Sequence, residues 1–138
     1  MNRSSKIAES KRKETEWILY LWPDAPRDEA GSVRAWSERW DGGGQGWMVD
    51  FDGRPVYVEH KWMKWPAGPR AVWSILRNAY EQLWDACPAR VLLVAAYRPL
   101  NSRVEDTLCM LELQGVYVVM RAADFKAAFI EGEHHASE

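Results

Sequence analysis

The sequence predicts an α/β domain in which helices flank a mixed central β-sheet. Three observations lead there: side chains alternate in two arms around residues 47–62, a helical period over residues 70–85 runs into the apolar stretch 91–97, and a second helix-then-strand unit follows. A hairpin supplies antiparallel neighbours, whereas strands reached through helices supply parallel ones, so a single sheet must hold both. Right-handed crossovers are expected for the parallel pairs. With 138 residues, 47% of them apolar, the chain can bury one core, read here as one domain over residues 1–130. The end, EGEHHASE (131–138), reads as an acidic flexible tail.

From Ser5 to about Trp22 the pattern is helical, with Lys13 and Glu14 on one side and Trp17, Ile18, Leu21 and Trp22 on the other, and Pro23 ends it. PDAPRDEAGS is loop by composition. Residues 33–40 fit a short strand or a helical turn equally, and GGGQG (42–46) is a loop leading into the hairpin. Strand alternation then puts Trp47, Val49, Phe51, Val56, Val58, His60 and Trp62 on the core face. Asp50, Asp52, Tyr57, Glu59 and Lys61 fall on the opposite face. Val72, Ile75, Leu76, Ala79 and Leu83 mark an amphipathic helix over Arg70–Asp85, and VLLVAAY (91–97) follows as a buried strand. Ser102 and Glu105 form a capping box that predicts a helix through Val104, Leu108 and Leu111, closing at Gly115. Residues 116–120 read as a strand and 122–130 as a last short helix.

No apolar run approaches the ~20 residues of a membrane span, and the basic, polar start has no signal-peptide core. Cys87 and Cys109 lack a CxxC spacing and read as small core residues in apolar, helix-like surroundings. The chain is therefore expected in the cytoplasm, with no membrane partner. A net charge of −2 weighs against a nucleic-acid binder on average, yet the charges segregate. Arg3, Lys6, Lys11, Arg12 and Lys13 crowd the start, and Arg54, Lys61, Lys64, Arg70 and Arg77 bracket the hairpin and the next helix. Lys11, Lys13, Lys64, Arg70 and Arg77 are the candidate phosphate contacts; the plainer alternative for Arg77 is an ion pair with Glu81. Of nine tryptophans several must be core, while Trp36, Trp40, Trp62 and Trp65 lie near polar loops where rings can stack on bases. His134 and His135 read as solvated.

Asp50, Glu59 and Lys61 suit phosphodiester hydrolysis. A hard divalent ion on carboxylate oxygens polarises a phosphoryl oxygen, and an ammonium orients the attacking water and offsets growing charge. Glu59 and Lys61, two apart on one strand, must point the same way. His60, between them, falls on the core face as a hydrogen-bonded or semi-buried histidine whose carbonyl could still reach a metal.

Asp50 as the separated acid with Glu59-His60-Lys61 as the E-x-K half resembles the PD-(D/E)XK nuclease superfamily. The SKRKETEW start and VYVVMRAADFKAAF near the end are similar to small phage-type Holliday-junction resolvases. The resemblance spans about Ser10 to Phe129. It implies a restriction-endonuclease-like fold and a Mg²⁺- or Mn²⁺-dependent endodeoxyribonuclease, commonly a homodimer, acting on DNA such as Holliday junctions in a bacterial or phage-infected cell. Asp50, Glu59 and Lys61 would be catalytic, with Asp50, Glu59 and His60 at the metal. An acid from the first helix sometimes assists; Glu14 or Glu16 is available, although a simple overlay puts Ile18 near that position.

Many relatives carry the separated acid earlier in its strand, where this chain has Gln45 and Gly46, which leaves Asp41, Asp50 and Asp52 as alternatives. If Asp52-Gly53 form a two-residue turn, Asp50 sits four residues, roughly 13 Å, from Glu59. A four-residue turn over 53–56 sets them opposite each other, and Pro55 suits such a loop. The alternative function is a non-catalytic binding module for nucleic acid or protein on a degenerate nuclease fold; an RNA substrate is a further option.

Overall fold

The computed structural model describes residues 3–25, 56–64, 68–86 and 92–132. Its elements are α1 (Arg3–Leu21), β1 (Val56–Met63), α2 (Pro69–Ala86), β2 (Leu92–Pro99), a 3₁₀ turn (Val104–Asp106), β3 (Leu108–Leu113), β4 (Val116–Arg121) and α3 (Ala122–Phe125), which continues as a π-helical turn (Lys126–Ile130). Four strands form one sheet in the order β1-β2-β3-β4. β1 and β2 are parallel, joined through α2, and the other two pairs are antiparallel. The sheet is thus mixed and flanked by helices, as expected. The first hairpin arm, residues 33–46, Cys87 and the 133–138 tail lie outside the described residues.

Strand register assigns every side chain to one of two faces. Glu59 pairs with Ala95, Ala95 with Met110, Met110 with Val119. Tyr57, Glu59, Lys61, Tyr97, Met110 and Tyr117 therefore share one side. Helix α2 covers that side, because Arg77 lies over the Tyr117 ring at 4.5 Å and Tyr80 meets it edge-on at 5.3 Å. His60, Trp62, Ala96, Arg98 and Cys109 share the other side, under α1, where Trp17 contacts the His60 ring at 5.4 Å.

Both faces of the sheet are therefore core. Tyr57, on the face opposite the one read as core, is as buried as Val56 and Val58, since α2 supplies a second apolar layer. Val72, Leu76, Ala79, Tyr80 and Leu83 form the buried stripe of α2. In α1 only the last turns pack, through Trp17, Ile18 and Leu21, while Ile7 is exposed. Among the described residues no helix is long and apolar enough to cross a membrane.

The helix expected from Ser102 to Gly115 is not formed; a 3₁₀ turn and strand β3 stand there instead. Ser102 Oγ donates to the Pro99 carbonyl (2.9 Å) rather than capping a helix, and Glu105 pairs with Arg103. Cys109, Met110 and Leu111 are all fully buried, so the run lies in the sheet interior with both faces covered, and Cys109 is a strand residue. Gly115 (φ 82°) does not stop a helix but joins Gln114 (φ 51°) in the two-residue turn between β3 and β4.

An added Cβ at Gly115 would meet no atom within 4 Å, so the cost of substitution there is backbone strain alone. Gly115→Val is expected to lose about 1–2 kcal/mol, and Gly115→Asn clearly less, in urea unfolding.

Candidate active site

The second half of β1 is where the strand ceases to be apolar. Val56, Tyr57 and Val58 are buried; Glu59 and Lys61 then emerge half-exposed, at 30% and 36%, on the α2 side. Lys61 Nζ lies 3.4 Å from Glu59 Oε1. Strand geometry alone brings them together, since residues two apart share a face about 7 Å apart at the backbone. Beside them in β2 stand Ala95 and Tyr97, their register partners. Ala95 is small, and Tyr97 sends its hydroxyl onward to the Lys64 carbonyl (2.9 Å) and the Met63 carbonyl (3.4 Å). Tyr97 was not singled out by its sequence; its place at the end of a buried strand after AA is the only signal it offered.

His60 points the other way. It is 7% exposed beneath α1, and the Trp17 ring contact stands where a hydrogen bond was expected, for neither ring nitrogen has a hydrogen-bond partner among the described residues. Burial first, and then the Arg98 guanidinium, pull its pKa down to about 3. The imidazole is thus neutral near pH 7 and faces away from Glu59. On the same side Arg98 Nη1 lies 2.9 Å from Glu16 Oε1 without hydrogen-bond alignment, while Nη2 donates to the Ser102 carbonyl at 3.0 Å. Glu16, a candidate first-helix acid, is therefore drawn to Arg98 on the face opposite Glu59. Cys109 is fully buried and free, and burial pushes its thiol up to about 12, against a smaller opposing effect of Trp17.

The candidate phosphate contacts divide. Lys64 is exposed just past β1, and Arg70 is exposed in the first turn of α2, which also begins beyond the carboxyl end of β1. Lys13 lies on the α1 side, 5.9 Å from the Trp62 ring and 3.9 Å from Glu9, with Lys11 exposed on the same helix. Arg77 pairs with Glu81 at 3.3 Å and covers Tyr117 of β4, three strand spacings, or about 14 Å, from β1. The structure does not bring it to Glu59.

Mg²⁺ and Mn²⁺ take oxygen ligands, one or two of them carboxylates, and keep several waters. Glu59 supplies the single accessible carboxylate of β1. Among the described residues no three of the His, Cys, Asp and Glu side chains cluster as a metal site. Asp41, Asp50 and Asp52 lie outside the described residues. No family model, curated protein or solved structure matches this chain.

His60 gives the fold an acid-side stability slope. An unfolded imidazole takes its proton near pH 6.5 and the folded one only near 3, so between these values the unfolded chain binds the extra proton. Stability is expected to be complete above about pH 6.5 and to fall by up to about 1.4 kcal/mol per pH unit on acidification toward pH 4.5. His60→Gln should flatten this slope in urea titrations at successive pH values.

Proposed function

We propose that the chain is a metal-dependent endonuclease of the PD-(D/E)XK type that hydrolyses DNA phosphodiesters. The observation that carries the reading is the Glu59–Lys61 pair: a carboxylate and an ammonium 3.4 Å apart, half-exposed on a strand whose preceding three residues are buried. A pair exposed to this extent contributes little to stability, so stability alone does not account for it. Departures from the rule that both faces are apolar are expected where function requires them.

Glu59, the His60 carbonyl and one acid of Asp41, Asp50 or Asp52 would hold Mg²⁺ or Mn²⁺. When bound, the ion supplies Lewis-acid polarisation of the phosphoryl group and a water of lowered pKa. Lys61 has two roles of its own. Its ammonium donates to the attacking oxygen and orients it, and it offsets negative charge that grows on the phosphate oxygens. Tyr97 keeps the chain beyond Lys61 in place by tethering the Met63 and Lys64 carbonyls.

A second reading has its own observation. Lys61 already occupies the Glu59 carboxylate, as in a solvated pair on a non-catalytic binding surface. Cleavage separates the two. Wild-type chain with Mg²⁺ is expected to cut four-way-junction, flap or plain duplex DNA, and to stop on chelation. Glu59→Gln and Lys61→Ala should each lose at least about 100-fold in rate while unfolding within about 1 kcal/mol of wild type. A wild-type chain that binds DNA but does not cut it in Mg²⁺ favours the binding module, and variants that cut at the wild-type rate take Glu59 and Lys61 out of the site.

A further inference from the structure

Met63 and Pro99 are register partners that close β1 and β2 together. Beyond both ends lies an open depression of about 480 Å³ lined by Lys64, Pro99, Leu100, Asn101 and Ser102. That volume is in the range of sites for small organic ligands, and the carboxyl ends of neighbouring parallel strands are where open α/β sheets bind them. The rim is fixed from beneath. Tyr97 Oη donates to the Lys64 carbonyl, Ser102 Oγ to the Pro99 carbonyl at 2.9 Å, and Arg98 to the Ser102 carbonyl. Pro99 and the 38%-exposed Leu100 make an apolar wall, Asn101 offers an amide, and Lys64, exposed, joins no ion pair among the described residues.

An apolar wall, one cation and one amide are more than a bare anion needs and match the three parts of a nucleotide. Resting on the nuclease reading above, we propose that this depression receives one unpaired nucleotide flanking the bond that Glu59 and Lys61 act on. Lys64 meets its phosphate, Pro99 and Leu100 underlie its sugar and base, and Asn101 meets the base edge. Lys64 is three residues from Lys61, about 10 Å of extended chain, so it meets a neighbouring phosphate and not the one at Lys61. A base buried in its own partner strand cannot reach such a wall, so the substrate is DNA with an unpaired or splayed nucleotide near the cut, as at a junction or flap.

The test is fluorescence anisotropy with a labelled 12-nucleotide single strand and the matching duplex, in EDTA. The single strand is expected to bind at least about fivefold more tightly. Lys64→Ala should weaken it and lower the salt slope by about one, Leu100→Asp should remove the preference, and Lys126→Ala, over the Tyr20 ring in the last turn of α1, should keep it. Equal or tighter duplex binding, or wild-type binding by both pocket variants, overturns the proposal. So does equal competition by inorganic phosphate and thymidine monophosphate, which denotes a bare anion site. The two readings fail separately: cleavage without strand preference removes the subsite alone, whereas the preference without cleavage in Mg²⁺ removes the nuclease alone.

Discussion

The in-register parallel pairing of β1 with β2, from Val56↔Leu92 to Met63↔Pro99, is the constraint on which the described structure depends. Its register is what decides which face each side chain serves. A slip of one residue would turn Glu59 and Lys61 under α1 and push the neutral His60 out beside α2. Apolar side chains on both faces resist the slip, because Val56, Tyr57, Val58, Val94 and Ala95 are all buried. Parallel pairing also requires a long crossover, and α2 provides it while covering the Glu59 side. The same pairing ends both strands together, which places Lys64 beside Pro99 and opens the depression there.

The two faces do different work. Under α1 the polar groups are inward: His60 against Trp17, and Arg98 at 3% exposure joined to Glu16 and the Ser102 carbonyl. Such an arrangement contributes little net stability, since desolvation offsets attraction, but losing one partner is costly because it strands the other. It fixes where α1 sits. On the α2 side, the charges of β1 instead reach partial solvent. The buried histidine between two half-exposed charges follows from strand alternation alone.

Much of this was legible in the sequence. The α1 and α2 stripes and the opposed faces of His60 and the Glu59–Lys61 pair follow from periods of 3.6 or 2, and the strands read at 91–97 and 116–120 follow from short apolar runs. β3 did not yield to the same reasoning. Val104, Leu108 and Leu111 match a helical period, and a strand covered on both faces shows no alternation with which to contradict it. Ser102 and Gly115 strengthened the error, because a hydroxyl that closes a tight turn and a glycine in a two-residue hairpin turn look in sequence like a helix cap and a helix stop. Arg77 was ambiguous in another way. Its Glu81 partner was visible at helical spacing, but Tyr117, forty residues on, was not. Nor could the spacing of Asp50 or Asp52 from Glu59 be read without the turn between them.

In the proposed nuclease, β1 presents Glu59 as a metal-binding carboxylate beside Lys61. Mn²⁺ titration of the ¹⁵N-labelled chain tests it most directly, through paramagnetic broadening of backbone amides. Broadening is expected to centre on Glu59, His60 and Lys61 and to be abolished by Glu59→Gln. Broadening centred elsewhere, or unchanged by that substitution, would contradict it.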